Sequence, residues 1–239
     1  MTALLLLIPA AYLVGSFPTS ILAGRLLAGI DIRERGSGNA GATNTFRVLG
    51  WKAGLGVALI DFAKGYFTVR LLAAQRLLSA LPALPEGFPS PLMPILLACA
   101  VIIGHILPLW VGFRGGKGVA AGAGAVFALQ PAVAAICLAG FVLVLGSSGL
   151  VSLASLTAAL LLPLGSLLLA ALAGRPPEPV WTIFTAAAAL LIFLMHRKNI
   201  VRLIRGRENR IDKLRFWGRK KHEPASSSGK NSQQGNQRP

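Results

Sequence analysis

The chain has 239 residues, of which 54% are hydrophobic and only 13% are charged, and its mean hydropathy is +0.65. A soluble domain carries about 25% charged residues, and apolar runs near the roughly 20 residues that cross a bilayer recur here, so the composition excludes an ordinary soluble protein. The net charge of +16 would suit nucleic acid, but 13 of the 24 Lys and Arg residues fall within residues 196–239. Basic residues beside apolar runs orient a membrane protein. We therefore expect an all-α integral membrane protein with no nucleic-acid partner.

Neither the cysteines nor the carboxylates indicate a metal site. Cys99 and Cys137 lie in apolar runs without His or acidic neighbours at ligand spacing, and we interpret them as small core residues. The eight acidic residues form no carboxylate cluster, which disfavours a two-metal centre. We expect no metal and no cofactor.

The first apolar run, residues 3–24, is predicted to be one membrane helix. A cleavable signal peptide would begin with basic residues and have a shorter apolar core, whereas residues 1–24 carry no charge. Five basic residues follow the run and none precedes it: Arg25, Arg33, Arg35, Arg47 and Lys52. The positive-inside rule then places the N-terminus outside and the following segment in the cytoplasm.

Residues 31–47 form a glycine-rich polar segment, which we call polar segment 1. Gly36, Gly38 and Gly41 permit positive φ, so successive N–H groups can surround an anion. Side-chain donors for such an anion are Ser37, Asn39, Thr43, Asn44 and Arg47. Taken alone, the segment fits a solvated turn equally well. The glycines also match a dinucleotide fingerprint, but that motif needs a βαβ unit and is discarded here.

A second helix is predicted over residues 53–72, fraying towards Arg76. Asp61 and Lys64 are three residues apart and share a face. Each charge would cost about 2.5–3.5 kcal/mol at the centre of a membrane helix. A buried ion pair between helices and a role in ordering the active site are both open. The proline-rich connection 79–91 is expected to be external.

The remaining apolar sequence predicts five more crossings, which makes seven in all. A third helix, residues 92–111, leads to polar segment 2, residues 112–118. Residues 119–174 carry no Asp, Glu, Lys or Arg and would form a helix of roughly 85 Å if unbroken, far beyond a bilayer. Three crossings fit, with breaks near Gln130-Pro131 and residues 146–149, and five crossings in all with a re-entrant segment are the alternative. The last run, 180–195, ends at a cytoplasmic basic region, and we place a membrane domain in residues 1–215 and a disordered tail in 216–239.

Polar segment 2 places Gly115, Gly116 and Gly118 around Lys117 at the start of a helix, where free N–H groups favour an anion. It resembles a P-loop only loosely, because Gly118 stands where a magnesium-binding Ser or Thr belongs. Nucleotide hydrolysis is therefore not supported.

Polar segment 3, residues 196–208, begins with His196 and Asn199, three residues apart. Alone, the histidine fits an interfacial residue and the basic run fits a topological anchor. Glu208 lies among arginines and is expected to make structural ion pairs. His105, in the third helix, is expected to make a structural hydrogen bond.

Together the three segments gather cations, neutral donors and a histidine at one membrane face, which suits two phosphate groups beside an apolar phase. A transporter of phosphorylated anions is the alternative. The candidate catalytic residues are Ser37, Arg47, Lys117, His196 and Asn199; the candidate phosphate-binding residues are Gly36, Gly38, Asn39, Gly41, Thr43, Asn44, Gly115, Gly116 and Gly118; the candidate structural supports are Asp61, Lys64 and Glu208.

These motifs resemble the three signature motifs of the bacterial acyl-phosphate:glycerol-3-phosphate acyltransferases. The matching residues are Asp31-Ile-Arg, Gly36-Ser-Gly-Asn, Gly41-Ala-Thr-Asn and Arg47, then Gly104-His105 and Phe113-Arg-Gly-Gly-Lys-Gly-Val119, then His196 and Asn199 to Glu208. Asp61-Phe-Ala-Lys-Gly65 also resembles a family element. The resemblance extends to about residue 210.

The resemblance implies a seven-helix enzyme of the bacterial inner membrane, with its site on the cytoplasmic side, that makes 1-acyl-glycerol 3-phosphate and releases phosphate. Its substrates would be glycerol 3-phosphate and acyl phosphate, in contact with membrane lipids. It also implies that Ser37 and Arg47 are essential, that the glycines near Lys117 bind phosphate, that His196 and Asn199 are important for activity, and that Glu208 is structural. A covalent acyl-enzyme is unnecessary because phosphate leaves readily. Whether the base is His196 or a substrate phosphate stays open.

Overall fold

The computed structural model describes residues 2–72 and 92–211, and these residues fold into helices joined by short loops. The α-helices are α1 (Thr2–Gly15), α2 (Thr19–Ala28), α3 (Ala42–Leu49), α4 (Trp51–Leu72), α5 (Leu92–Ile106), α6 (Val119–Leu129), α7 (Pro131–Ser148), α8 (Val151–Leu172), α9 (Pro179–Met195) and α10 (Arg197–Ile204). The extension towards Arg76, the connection 79–91 and the tail 216–239 lie outside the described residues.

Several helices are long and apolar enough to cross a bilayer, which confirms an all-α membrane protein. Among the described residues, four candidate spans stand alone: Leu6–Ala28, Leu92–Val111, Pro131–Ser148 and Val151–Leu172. The pair α9 and α10 makes a fifth candidate, bent by 64°. Because α10 is rich in basic residues, we take α9 as its membrane-spanning part.

The two other predicted spans are present as helices but differ from simple membrane helices. α4 has 22 residues, yet it contains Lys52, Asp61, Lys64 and Arg70. α6 has 11 residues and is about 16 Å long, roughly half the thickness of the hydrocarbon core. The predicted breaks are confirmed, because α6 ends before Gln130 and α7 ends at Ser148.

The first predicted membrane helix is present as one candidate span, Leu6–Ala28, but it contains a break that was not predicted. α1 ends at Gly15 and α2 begins at Thr19, because Pro18 has no N–H to continue the helical hydrogen bonds. Lys64 Nζ donates to the Phe17 carbonyl at the break, at 3.2 Å. The break is therefore stabilised from α4.

Small residues let the central helices pack closely. A side chain at Gly65 of α4 would overlap the Ala121 carbonyl of α6, and one at Gly124 would overlap the Phe62 carbonyl. Such small residues are common where membrane helices approach each other. The α4–α6 contact thereby fixes where polar segment 2, just before α6, sits over α4.

The three polar segments meet at one end of the helical bundle. The Arg33 side chain donates to the Val111 carbonyl at 2.8 Å, and Arg47 donates to the Asn209 carbonyl at 3.3 Å. The Ile211 N–H donates to the Gly149 carbonyl at 2.9 Å, which adds the α7–α8 connection. Residues far apart in sequence thus form one polar surface above the apolar core.

Candidate active site

A cavity of about 710 Å³ extends from this polar surface down between the helices. Its polar end is lined by Ser37, Gly38, Asn39, Gly41, Thr43, Asn44, Arg47, Lys117, Gly118, His196, Asn199, Arg202 and Glu208. Its walls include apolar side chains of α6, α7, α8 and α9, among them Val126, Phe127, Leu138, Phe141, Leu162 and Leu191. The cavity therefore offers cations and donors at one end and room for an apolar chain along its length.

A chain of side-chain contacts links polar segments 2 and 3 at the polar end. The Lys117 amine donates to Asn199 Oδ1, and the Asn199 amide nitrogen donates to Glu208 Oε1 at 2.7 Å. Arg202 Nε donates to the other Glu208 oxygen, also at 2.7 Å. Asn199 and Glu208 are both buried. The network holds the lysine amine at the cavity wall, and Glu208 makes an ion pair with Arg202, one of the arginines around it.

Burial and neighbouring charges shift the pKa values of this network. Burial lowers the pKa of Lys117 to about 8; Glu208 opposes this shift, and the positive charges of Arg202 and Arg47 reinforce it. Burial alone would raise the pKa of Glu208, but hydrogen bonds from Arg202 and Asn199 outweigh it and hold that pKa below its ordinary value. The carboxylate therefore stays charged near neutral pH, whereas Lys117 gains or loses its proton at a pH just above neutral.

His196 follows the last residue of α9 and is buried at the cavity wall. Its Nδ1 lies 2.8 Å from the Ile192 carbonyl, which can only accept, so Nδ1 carries the hydrogen and Nε2 is unprotonated. Burial, with a smaller contribution from the charge of Lys117, lowers the pKa of His196 to about 4. The imidazole is thus neutral at physiological pH and can accept a hydrogen bond.

The structure gives Asn44 a role that differs from the predicted contact with phosphate. Its amide nitrogen donates to the Ile32 and Arg35 carbonyls, at 2.9 and 3.0 Å. Its oxygen accepts from the Ser37 N–H at 2.8 Å and from the Ser37 hydroxyl at 3.1 Å. Both amide hydrogens of Asn44 are therefore used within polar segment 1, and the side chain stabilises the loop that presents Ser37.

Gly36 lies against the Asn44 side chain in the same loop. Its φ is +61°, and a Cβ there would overlap the Asn44 side-chain oxygen. Gly36 is thus required by the loop conformation. Gly38, Asn39, Gly41 and Thr43 do line the cavity. The Gly38 N–H donates to the Arg35 carbonyl at 3.1 Å and the Gly41 N–H to the Asn39 carbonyl at 3.0 Å, so these two N–H groups are not free to surround an anion as predicted.

Gly115 and Gly116 also differ from prediction. The Gly115 N–H donates to the Ile106 carbonyl and the Gly116 N–H to the His105 carbonyl, each at 3.1 Å. These two N–H groups are therefore engaged with the end of α5 and are not free donors for an anion. Gly118, with φ of +83°, does line the cavity as the N-cap of α6.

Helix N-termini replace these glycines as backbone donors. Ala42 and Thr43 line the cavity at the N-terminus of α3, and Gly118, Val119 and Ala120 do so at the N-terminus of α6. The first N–H groups of a helix lack partners within it, and the helix dipole adds positive potential there. The polar end of the cavity thus favours anions from two sides.

Asp61 and Lys64 form the buried ion pair that the spacing indicated, with 2.9 Å between Lys64 Nζ and Asp61 Oδ1. The Thr19 hydroxyl donates to the same oxygen at 2.9 Å, which ties α2 to α4. Asp61 also borders the cavity, as does His105, whose Nδ1 lies 3.6 Å from Asp61 Oδ1. The pair therefore lies between helices and beside the site.

Arg202 lines the cavity although it is not among the candidate site residues, because the basic run that contains it fits a topological anchor. Arg202 lies three residues after Asn199 and so shares its helix face, a spacing that could have linked it to the site. Ser152 and Ser155 of α8 also line the cavity and carried no sequence signal. The arrangement as a whole can bind phosphate groups, neutralise a developing oxyanion and accept a proton.

The profile of the glycerol-3-phosphate acyltransferase family matches residues 5–206. Two similar relatives carry the name glycerol-3-phosphate acyltransferase. The one from Salinibacter ruber is 40% identical, covering 88% of this chain and 93% of its own, and the one from Anaeromyxobacter dehalogenans is 42% identical, covering 86% and 96%.

Two crystal structures of PlsY, described as an integral membrane glycerol 3-phosphate acyltransferase, are similar in fold. Its glycerol 3-phosphate form has a TM-score of 0.74 at 34% identity and covers 90% of this chain and 98% of its own. Its lysophosphatidic acid form has a TM-score of 0.70 at 34% identity, covering 88% and 96%. With the profile match across most of its length, this chain belongs to the glycerol-3-phosphate acyltransferase family.

Proposed function

We propose that the protein transfers a fatty acyl group from acyl phosphate to glycerol 3-phosphate, giving 1-acyl-glycerol 3-phosphate and inorganic phosphate. The observation that carries this proposal is the single cavity with cations and helix N-termini at one end and apolar walls along the rest. Relatives named glycerol-3-phosphate acyltransferase, and PlsY structures in glycerol 3-phosphate and lysophosphatidic acid forms, support the same acceptor and product.

The donor fits the chemistry of the polar end. Acyl phosphate has a compact anionic head and a long apolar chain, so its head matches Arg47 and Lys117 while its chain matches the walls between α6 and α9. Phosphate leaves readily, which removes the need for a covalent acyl-enzyme. Ser37 fits a positioning role, because its hydroxyl already donates to Asn44 Oδ1.

In the reaction we propose, a glycerol 3-phosphate hydroxyl attacks the carbonyl carbon of acyl phosphate. The new C–O bond forms as the bond to phosphate breaks, and the hydroxyl proton passes to His196 Nε2 or to a phosphate oxygen. Lys117 and Arg47 offset the charge on the phosphates and on the carbonyl oxygen. With a pKa of about 4, His196 is a weak base that accepts the hydroxyl hydrogen bond and gains the proton only as the bond forms.

We also propose seven crossings, with the N-terminus outside and the site in the cytoplasm. The contacts of Val111, Gly149 and Asn209 at one end of the bundle support this, because they show that the chain has come back to that end at each of these residues. A periplasmic reporter enzyme and a cytoplasmic fluorescent reporter, each fused after Arg175 and after Arg210, test the topology. The periplasmic reporter should work only after Arg175, and activity after Arg210 would reverse the orientation.

The activity is tested on purified protein in detergent or nanodiscs, given glycerol 3-phosphate and acyl phosphate. We expect lysophosphatidic acid and inorganic phosphate in equal amounts. The matched controls are Lys117→Met, which removes the amine, and Gly56→Ala in α4, where an added methyl group meets no atom within 4 Å. Phosphate release without lysophosphatidic acid, or equal rates in the Lys117→Met protein, would contradict the proposal.

A further inference from the structure

A buried polar cluster lies between the α1–α2 break and the loop that carries Lys117. Asp61 is its centre, because its Oδ1 accepts from both Thr19 and Lys64, each at 2.9 Å. Lys64 also donates to the Phe17 carbonyl at the break, at 3.2 Å. Charges placed within membrane helices are expensive and are typically functional. The catalytic steps above make no use of this cluster.

His105 connects the cluster to polar segment 2. It is 7% exposed, and its Nδ1 lies 3.6 Å from Asp61 Oδ1, which is a close polar contact just beyond hydrogen-bond distance. On its other side the ring lies against Gly116: a Cβ built on Gly116 would overlap His105 Nε2. The Gly116 N–H also donates to the His105 carbonyl at 3.1 Å. The loop therefore rests on His105 through both its ring and its backbone.

Lys117 is the residue after Gly116, so a shift of the His105 ring would move the lysine amine. The lysine contacts Asn199 on the far side, where its position matters for the phosphate groups. A displacement of about 1 Å in a positioned group can reduce turnover about 10²-fold. The cluster is thus placed to act on the reaction without touching substrate.

We propose that His105 and Asp61 are positioning residues for this reaction. Asp61, held by Thr19 and Lys64, fixes the position of the imidazole from inside the membrane. The imidazole in turn fixes the position of Gly116, and hence that of Lys117, the next residue. Gly116 is glycine because the ring occupies the space of a side chain, and not because its N–H binds phosphate. The inference rests on the proposed function for its kinetic readout alone.

A double-mutant cycle between Gly116 and His105 tests it. Gly116→Ala should lower kcat/KM about 10²-fold, because the methyl group pushes the loop off the ring. His105→Asn keeps an amide nitrogen near Nδ1 but lacks the atoms at Nε2, so the pair His105→Asn with Gly116→Ala should be more active than Gly116→Ala alone. Recovery will be partial, since the methyl group also meets the Ala40 carbonyl at 2.9 Å.

His105→Gln supplies the matched contrast, because its amide refills the Nε2 position. Combined with Gly116→Ala it should recover nothing, and Gly56→Ala should match wild type. If the Gly116 N–H binds an anion instead, the fold-changes in kcat/KM of His105→Asn and of His105→Gln will each multiply with that of Gly116→Ala. Such independent effects would overturn the inference.

Asp61 is tested by Asp61→Asn, which weakens the hold on the ring. We expect the alkaline limb of kcat/KM, set by Lys117, to move from its wild-type pH, because the amine shifts relative to Glu208, Arg202 and Arg47. A lower melting temperature with an unmoved limb would reduce Asp61 to a structural residue and overturn its part of the inference.

The melting temperatures of the same cycle do not depend on activity. Wild-type protein that fails to make lysophosphatidic acid, while His105→Asn still raises the melting temperature of Gly116→Ala, would refute the proposed function and retain the packing of Gly116 on the ring. A wild-type protein that makes lysophosphatidic acid, with no coupling between the two substitutions in kcat/KM or in melting temperature, would retain the proposed function and refute the packing of Gly116 on the ring.

Discussion

The pH dependence of kcat/KM gives the sharpest test of how Lys117 works. Lys117 must be charged to offset phosphate, and its pKa is lowered to about 8 by burial. Charge is therefore present below pH 8 and lost above it. At pH 9 about one tenth of such lysines keep the proton, so kcat/KM should be about tenfold below its plateau, whereas an ordinary lysine of pKa about 10.4 would still be almost fully charged.

The assay measures initial rates of lysophosphatidic acid formation from pH 6 to about 9.5, corrected for spontaneous hydrolysis of acyl phosphate. kcat/KM reports the free enzyme and kcat the bound complex. A bound phosphate favours the charged amine, so the limb in kcat should lie at higher pH. The Lys117→Arg side chain stays charged across this pH range. This variant should therefore have a lower kcat/KM than wild type but show no decrease at alkaline pH. A flat wild-type profile, or an unchanged limb in the arginine variant, would refute the assignment.

Three further predictions concern other parts of the site and chain. Arg47→Lys keeps the charge but loses the planar fork, so kcat/KM in the same assay should fall about tenfold or more, and full activity would exclude a bidentate contact. Glu208→Gln should lower stability by about 1–3 kcal/mol in thermal or denaturant unfolding, because Arg202 loses a charged partner. The stability that wild-type Glu208 contributes should be lost as the pH falls below about 4.3, since its folded pKa is lowered, and the variant should lack that dependence. Truncation after Arg219 should leave turnover near wild type in a protein that still inserts, and loss of turnover would extend the site into residues 220–239.

Hydropathy and residue type were enough to predict the membrane class and the helix breaks in residues 119–174. Pro131 and Gly149 interrupt an apolar run too long for one crossing, and such breaks are local. The break at Pro18 was missed because the surrounding run is uncharged and of spanning length, although Ser16, Thr19 and Ser20 beside the proline are a local signal of a break. The Phe17 carbonyl freed there finds Lys64, a partner 47 residues away that no local pattern reveals.

The candidate site residues Lys117, His196 and Asn199 line one cavity, because each is a polar residue at the edge of an apolar run and the runs return to the same end. Their roles depended on distant contacts. Whether an Asn or Gly donates to substrate or to a backbone carbonyl depends on where carbonyls lie in three dimensions, as Asn44 and Gly116 illustrate. Composition identifies the donors but not the acceptors they meet.

The identity of the acyl donor decides whether the protein is an acyl-phosphate-dependent acyltransferase. The described loops at the polar end of the cavity are short, and this end suits a compact phosphate head beside an apolar chain. One purified preparation, free of other acyltransferases, should be assayed with acyl phosphate, acyl-CoA and acyl carrier protein of one chain length. We predict lysophosphatidic acid from acyl phosphate and little or none from either thioester. A comparable kcat/KM with acyl-CoA would contradict the account.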